Sequence, residues 1–241
     1  MMGPSPALSP LDLALRLGDD ALILSHRLCE CSGHAPTLEI DLALSNIGLD
    51  LLGQAQFFLQ HAGGLEGAGR DADALAYRRE EHEFRNCLLV EQPNGDFART
   101  MVRQFFFSSW QALRFEALAD SADAEMAAIA AKAGKEVAYH VRFSAEWVVR
   151  LGDGTAESRR RVADGVNWLW RFVDELFTGE DSGLRPGWEA AAGATLAQAG
   201  LELPAPVRGV TGGRAGRHSE HLGHLLAEMQ YLQRTHPGAQ W

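Results

Sequence analysis

The sequence predicts an all-α chain, and three observations predict it. Apolar residues recur at helical spacing through most of the 241 residues, no convincing strand alternation interrupts them, and turn-forming or capping residues fall between the periodic stretches. A first helix runs from Leu11 to Cys31 and is closed by Ser32-Gly33-His34-Ala35-Pro36, where glycine and proline act as stop signals. Thr37 can cap a second helix from about Glu39 to His61, with Asp41 favourably placed in its first turn. The glycines from Gly63 to Gly69 end it. A third helical stretch covers about Asp73 to Val90, followed by the turn Pro93-Asn94-Gly95. The fourth helix spans about Phe97 to Ala119. Ser121 or Asp123 caps a fifth, which continues to about Leu151 before Gly152-Asp153-Gly154. Helices follow at about Glu157–Phe177 and Pro186–Ala199, then a glycine-rich joint from Gly209 to Gly216 and a last helix from about His218 to His236.

The first, second, fourth and fifth helices are the long ones, in two pairs with a longer connection between them. That is the layout of a ferritin-like four-helix bundle with one crossover, and the short later helices would pack outside it. The length sits near the upper end of what one core serves, and no compositional break divides the chain. Residues 1–241 are therefore expected to form a single domain, with residues 1–10 flexible.

Composition narrows the function. The formal net charge of −10 argues against nucleic acid or an anionic membrane as partner. Arg159-Arg160-Arg161 is flanked by acids and reads as a solvated helix start. Three sparse cysteines (Cys29, Cys31 and Cys87) suit a reducing compartment. The first ten residues lack the charged and apolar regions of a signal peptide, and no apolar stretch approaches the ~20 residues of a membrane span. A cytoplasmic protein is expected.

A ferritin-like di-iron site needs a Glu from each of two helices and Glu-x-x-His from each of two others, because i, i+3 spacing sets both ligands on one helix face. No Glu in this chain has a His three residues later. Glu136 is followed by Tyr139 at that spacing, and His140 comes one residue late. On the second helix Gln54 offers an amide where an imidazole is needed. Asn46, Asp50 and Gln54 nevertheless form one polar line on that helix, and Lys132, Glu136 and His140 form another on the fifth. Buried polar groups without partners cost several kcal/mol, of order 2–7, so two such lines in a core should find each other. A polar lock of Asp50, Gln54, Lys132, Glu136 and His140 in place of the metals is one reading. The other is that a line faces solvent or a partner. The second helix is apolar over far more than a narrow stripe (Ile40, Leu44, Ile47, Leu51 and Phe58, widened by Leu42, Leu49, Leu52 and Leu59), and is expected to be buried on most sides.

Weaker motifs point to structure. His218, His221 and His224 with Glu220 and Glu228 spread over too wide an arc for one metal and read as a polar face. Cys29, Cys31 and His34 lack a fourth ligand. Phe105-Phe106-Phe107 with Trp110 reads as core or interface packing, and no nucleophile elbow, P-loop or dinucleotide fingerprint is present. No catalytic, cofactor-binding or metal residue is assigned. An active di-iron or di-manganese oxygenase with unusual ligands would draw first on Glu136, His140, Asp50 and Glu116.

The chain resembles the ferritin-like C subunits of the bacterial phenylacetyl-CoA epoxidases (ring-1,2-phenylacetyl-CoA monooxygenases) over nearly its whole length, from Leu15 to Trp241. The resemblance is carried by Leu15-Arg16-Leu17-Gly18-Asp19, Gly33-His34-Ala35-Pro36 and the run from Glu39 to Leu44. It continues through the run from Asn46 to Ala55, Leu88-Leu89-Val90-Glu91-Gln92-Pro93-Asn94-Gly95, Lys135-Glu136, Tyr139-His140 and Arg142-Phe143-Ser144. Glu220-His221-Leu222-Gly223 and the terminal run from Leu226 to Arg234 close it. It departs in a short Pro-rich N-terminal extension and a shorter segment before the last glycine-rich joint. The resemblance implies a non-catalytic structural role, with no cofactor in this chain. It implies a homologous catalytic partner, the epoxidase's A subunit, which holds the di-iron centre and inserts one oxygen atom of O2 into the aromatic ring of phenylacetyl-CoA. It also implies a reductase with flavin and an iron–sulfur cluster, supplying electrons from NADPH.

Overall fold

The structure is a computed structural model and describes residues 8–239. All regular structure among the described residues is helical. Flexibility expected for residues 1–10 falls mostly outside the described residues, but Ser9 is part of the fold. Its hydroxyl accepts the Asp12 N–H at 3.1 Å and caps α1 (Pro10–Cys29), with Pro10 in the first turn. The chain divides into two compact units, residues 9–93 with 212–239, and residues 94–211.

In the first unit, α1 forms an antiparallel hairpin with α2 (Leu38–Glu66): Gly18 faces Phe58 and Leu59, and the Ser25 hydroxyl donates to the Gly48 carbonyl at 2.7 Å. Thr37 caps α2 as expected, accepting the Ile40 N–H at 3.4 Å, and Asp41 holds the incoming loop through the Gly33 N–H at 2.9 Å. The helix does not stop near His61. It runs through Gly63 and Gly64 and ends on left-handed Gly67. Gly63 serves close approach rather than termination, since a Cβ there would collide with the Arg70 carbonyl oxygen.

The single helix expected from Asp73 to Val90 is instead broken into α3 (Ala72–Tyr77), a 3-10 turn at Glu81–Glu83 and α4 (Leu88–Glu91). The reason lies far away in sequence. Asp19 accepts the Arg85 N–H and Asp20 accepts the Cys87 N–H, each at 2.7 Å, so these amides leave the helical ladder to satisfy buried carboxylates.

Residues 94–211 open with α5 (Phe97–Leu118) and α6 (Ala124–Gly152), a second antiparallel hairpin in which the Phe97 and Trp147 rings meet edge to face at 5.2 Å. Asp96 and Asp123 supply the caps. The next helix, α7 (Ala156–Trp170), stops short of the expected Phe177. Two 3-10 segments, Val173–Phe177 and Gly179–Leu184, follow it and lead into α8 (Arg185–Gln198). Trp188 closes this core: it is fully buried, packs its ring near Phe106, Trp170 and Phe177, and donates its indole N–H to the Phe106 carbonyl at 3.0 Å. Phe105, Phe106, Phe107 and Trp110 are all buried, as their helical spacing suggests. The arginine run at the start of α7 is solvated, with Arg160 and Arg161 both paired to Glu157.

The last segment belongs to the first unit and divides at Gln230 into α9 (Glu220–Met229) and α10 (Tyr231–Thr235). The buried Gln230 amide donates to the carbonyls of Ala76 and Arg79, both at 3.1 Å, and so pins the division. Two long hairpins with short helices beside them are the helix content of the ferritin-like class.

Candidate functional site

The two polar lines run from solvent into burial. On α2, Asn46 is exposed, Asp50 is half-buried and Gln54 is buried; on α6, Lys132 is exposed, Glu136 is half-buried and His140 is buried. None of Asp50, Gln54, Lys132, Glu136 and His140 stands free of interactions. Glu116, a carboxylate that an active metal site would have drawn on, is exposed on α5 and does not point into a ligand set.

The buried donors do not fit a di-iron centre. Hard iron sites of this class need several ionised carboxylates beside imidazoles. The buried polar side chains of α5 are instead amides, hydroxyls and arginines, among them Gln104, Ser108, Gln111 and Arg103. The buried acids of the N-terminal unit are already committed. Asp19 is gripped by the Arg79 guanidinium and the Arg85 N–H. Asp20 pairs with Arg214 at 2.7 Å. Glu91 takes the Ser219 N–H at 2.6 Å, His218 Nδ1 at 2.9 Å and the Asn86 amide at 3.1 Å. Among the described residues no three His, Cys, Asp or Glu side chains are grouped to hold a metal. The histidine cluster is dispersed accordingly: His218 is buried ahead of α9, His221 is half-buried and His224 is exposed. Cys29 and His34 are exposed at the end of α1 and in the loop after it.

The face of α2 corrects a second expectation. Ile40, Leu44, Ile47, Leu51, Ala55 and Phe58 are buried, but the helix is not enclosed on most sides. Leu38, Leu42, Leu49 and Leu52 are 70%, 56%, 62% and 40% exposed, and Phe57 is exposed beside them. Apolar periodicity shows that a face must be covered, and not by what. Here one face packs within the chain and the other is bare.

Two comparisons bear on this arrangement. The family model described as phenylacetic acid catabolic protein matches residues 5–241. The chain belongs to this family. The C subunit of 1,2-phenylacetyl-CoA epoxidase from Escherichia coli (strain K12) is 52% identical over 241 aligned residues, covering 94% of this chain and 97% of that protein.

In this member of the phenylacetic acid catabolic family, the residues that bind the N-terminal unit together escape a local sequence reading. Asp19, Asp20, Arg79, Glu91, Arg214 and His218 lie up to about two hundred positions apart, and only the adjacent acids inside an apolar helix hint at a buried role. His218 has a measurable consequence. Burial opposes its charge, but the hydrogen bond and attraction from Glu91, the Phe84 carbonyl and the charge of Glu81 outweigh that cost and raise its pKa above 6.5. A raised folded-state pKa means that protonation favours the fold. The stabilisation is complete below the unfolded value and is lost as pH rises through the folded one. His218→Gln is therefore expected to lower the melting temperature most below about pH 6.5 and by a shrinking margin as pH rises above it. A margin independent of pH, in paired melts of the two proteins, would show that His218 is held neutral.

Proposed function

We propose that this chain is the non-catalytic structural component of a phenylacetyl-CoA epoxidase, supporting the catalytic di-iron subunit in aerobic phenylacetate degradation in the cytoplasm. The observation that carries the reading is the likeness to the Escherichia coli epoxidase component at 52% identity across nearly the full length of both chains. The residues agree with it: the sequence has no Glu-x-x-His, and Gln54 offers an amide where an imidazole would be needed. No helix of the described residues is long and apolar enough to cross a membrane, and the net charge of −10 disfavours nucleic acid. In this reading the di-iron centre resides in the catalytic partner, and the flavin and iron–sulfur cluster in the reductase. This chain carries no cofactor, and residues 1–241 act as one ferritin-like domain. In this reading Asp50 and Gln54 on α2, and Lys132, Glu136 and His140 on α6, take helix positions that metal ligands would otherwise hold. Co-expression with the di-iron partner tests the assignment. A stable complex is expected on gel filtration, with the chain alone tending to self-associate. Two equivalents of tightly held iron in the isolated chain would instead make it an oxygenase with unusual ligands.

A further inference from the structure

The outward residues of α2 follow a regular seam. Leu38, Leu42, Ser45, Leu49, Leu52 and Gln56 are separated by alternating steps of four and three, the spacing at which a second helix packs along the first. Gly53, open on the same side, would allow close approach because a Cβ there meets nothing within 4 Å. Beside the seam, between α2 and α3, lies a socket of about 200 Å³ lined by Leu22, Leu52, Ala55, Leu59 and Ala76 together with Gln56, Asp73 and Tyr77. Leu52 and Gln56 line the socket and belong to the seam, so the two form one continuous surface.

We propose that this surface receives an apolar α-helix of the catalytic di-iron partner, one of whose large side chains fills the socket as an anchor. The inference rests on the reading of the chain as the epoxidase's non-catalytic component and adds where the partner binds. Charge selects the occupant. The seam carries no charged residue in a chain of net charge −10, and α2 contains no lysine or arginine at all. An anionic membrane surface would need basic residues along or beside the apolar face, and α2 instead bears only acids, Glu39, Asp41, Asp50 and Glu66. Along the seam itself a neutral, apolar helix buries no charge, and the exposed Asp73 carboxylate lines the socket beside it. Area agrees: the exposed parts of Leu38, Leu42, Leu49 and Leu52 amount to roughly 400 Å², about half of the ~800 Å² that each partner gives to a stable interface. A socket beside the seam is where an interface anchor concentrates binding.

The test compares the full-length chain with Leu49→Arg and Leu52→Arg, each titrated by calorimetry against the purified di-iron partner. Val207→Arg serves as the control, since Val207 is an exposed apolar residue of the other compact unit. Because Leu49 and Leu52 already face solvent, the variants should fold, and unchanged circular dichroism and melting would confirm it. Each seam variant is expected to weaken binding by at least about 30-fold, and the control by less than about three-fold. If the native chain binds the partner and the seam variants bind it equally well, the docking surface is refuted and the functional assignment stands. The surface is refuted in the same way if the seam variants only split a dimer of this chain. If the native chain itself does not bind the partner, the assignment falls, and the surface with it.

Discussion

Arg214→Met is expected to lower the melting temperature by about 10 °C. Arg214 joins the C-terminal segment to the N-terminal hairpin, pairing with Asp20 at 2.7 Å and donating to the Arg85 carbonyl at 3.0 Å. Asp20 is fully buried, and burial already pushes its carboxyl above the ordinary value against the pull of Arg214 and the Cys87 N–H. Removing the guanidinium leaves a buried carboxylate without its countercharge, a loss of about 3–5 kcal/mol. In a chain of this size each kcal/mol is worth about 2–4 °C. Two further outcomes separate this cause from mere loss of packing. A raised carboxyl pKa means that ionisation disfavours the fold, so the deficit of the variant should shrink as pH falls from neutrality toward that pKa. The double variant Asp20→Leu/Arg214→Met should recover much of the loss, because neither charge is then stranded. A single variant as stable as the native chain, by calorimetry, would mean that Asp20 is not the buried anchor described.

Trp188→Ala is expected to cost about 3–5 kcal/mol in the other unit. The indole is fully buried, lies 5.4 Å from Phe106 and 5.3 Å from Phe177 between ring centroids, and is fixed by its bond to the Phe106 carbonyl. Truncation empties a large volume at the junction of α5, α7 and α8. Hydrogen exchange should accelerate first in those helices and leave the protection of α1 and α2 largely unchanged. Trp188→Phe keeps most of the apolar contact and loses the hydrogen bond, so it should cost less than half as much. Equal protection in Trp188→Ala and the native chain would contradict the placement of this residue at the centre of its core.

Both positions show what can be seen in the sequence and what cannot. The long helices are visible because their signals are local: Thr37 and Asp123 cap helices where capping residues precede an apolar repeat, and Trp188 lies on a predicted helix. The break between Tyr77 and Leu88 is invisible because Asp19 and Asp20 cause it from more than sixty positions away. Local propensity favours a helix there, and the need to satisfy two buried carboxylates overrides it. His218 escapes for the same kind of reason. Its spacing with His221 and His224 suggests one helical face, yet Glu91 and Phe84 hold it ahead of α9. The absence of Glu-x-x-His is legible, since it is a local motif that needs no structure to read. The bare side of α2 is not, because periodicity records that Leu42 and Leu49 seek cover and says nothing of which molecule supplies it.

That division of labour, with chemistry in the partner and support in this chain, is tested most directly by reconstitution. The di-iron component, the reductase and the remaining epoxidase components are combined with phenylacetyl-CoA, NADPH and O2, with and without this chain. Epoxide formation is followed, and iron is assayed in each component after separation. The predicted result is turnover only when this chain is present, with the iron remaining in the catalytic partner. Full turnover without the chain, or iron and activity that travel with the chain alone, would contradict the supporting role.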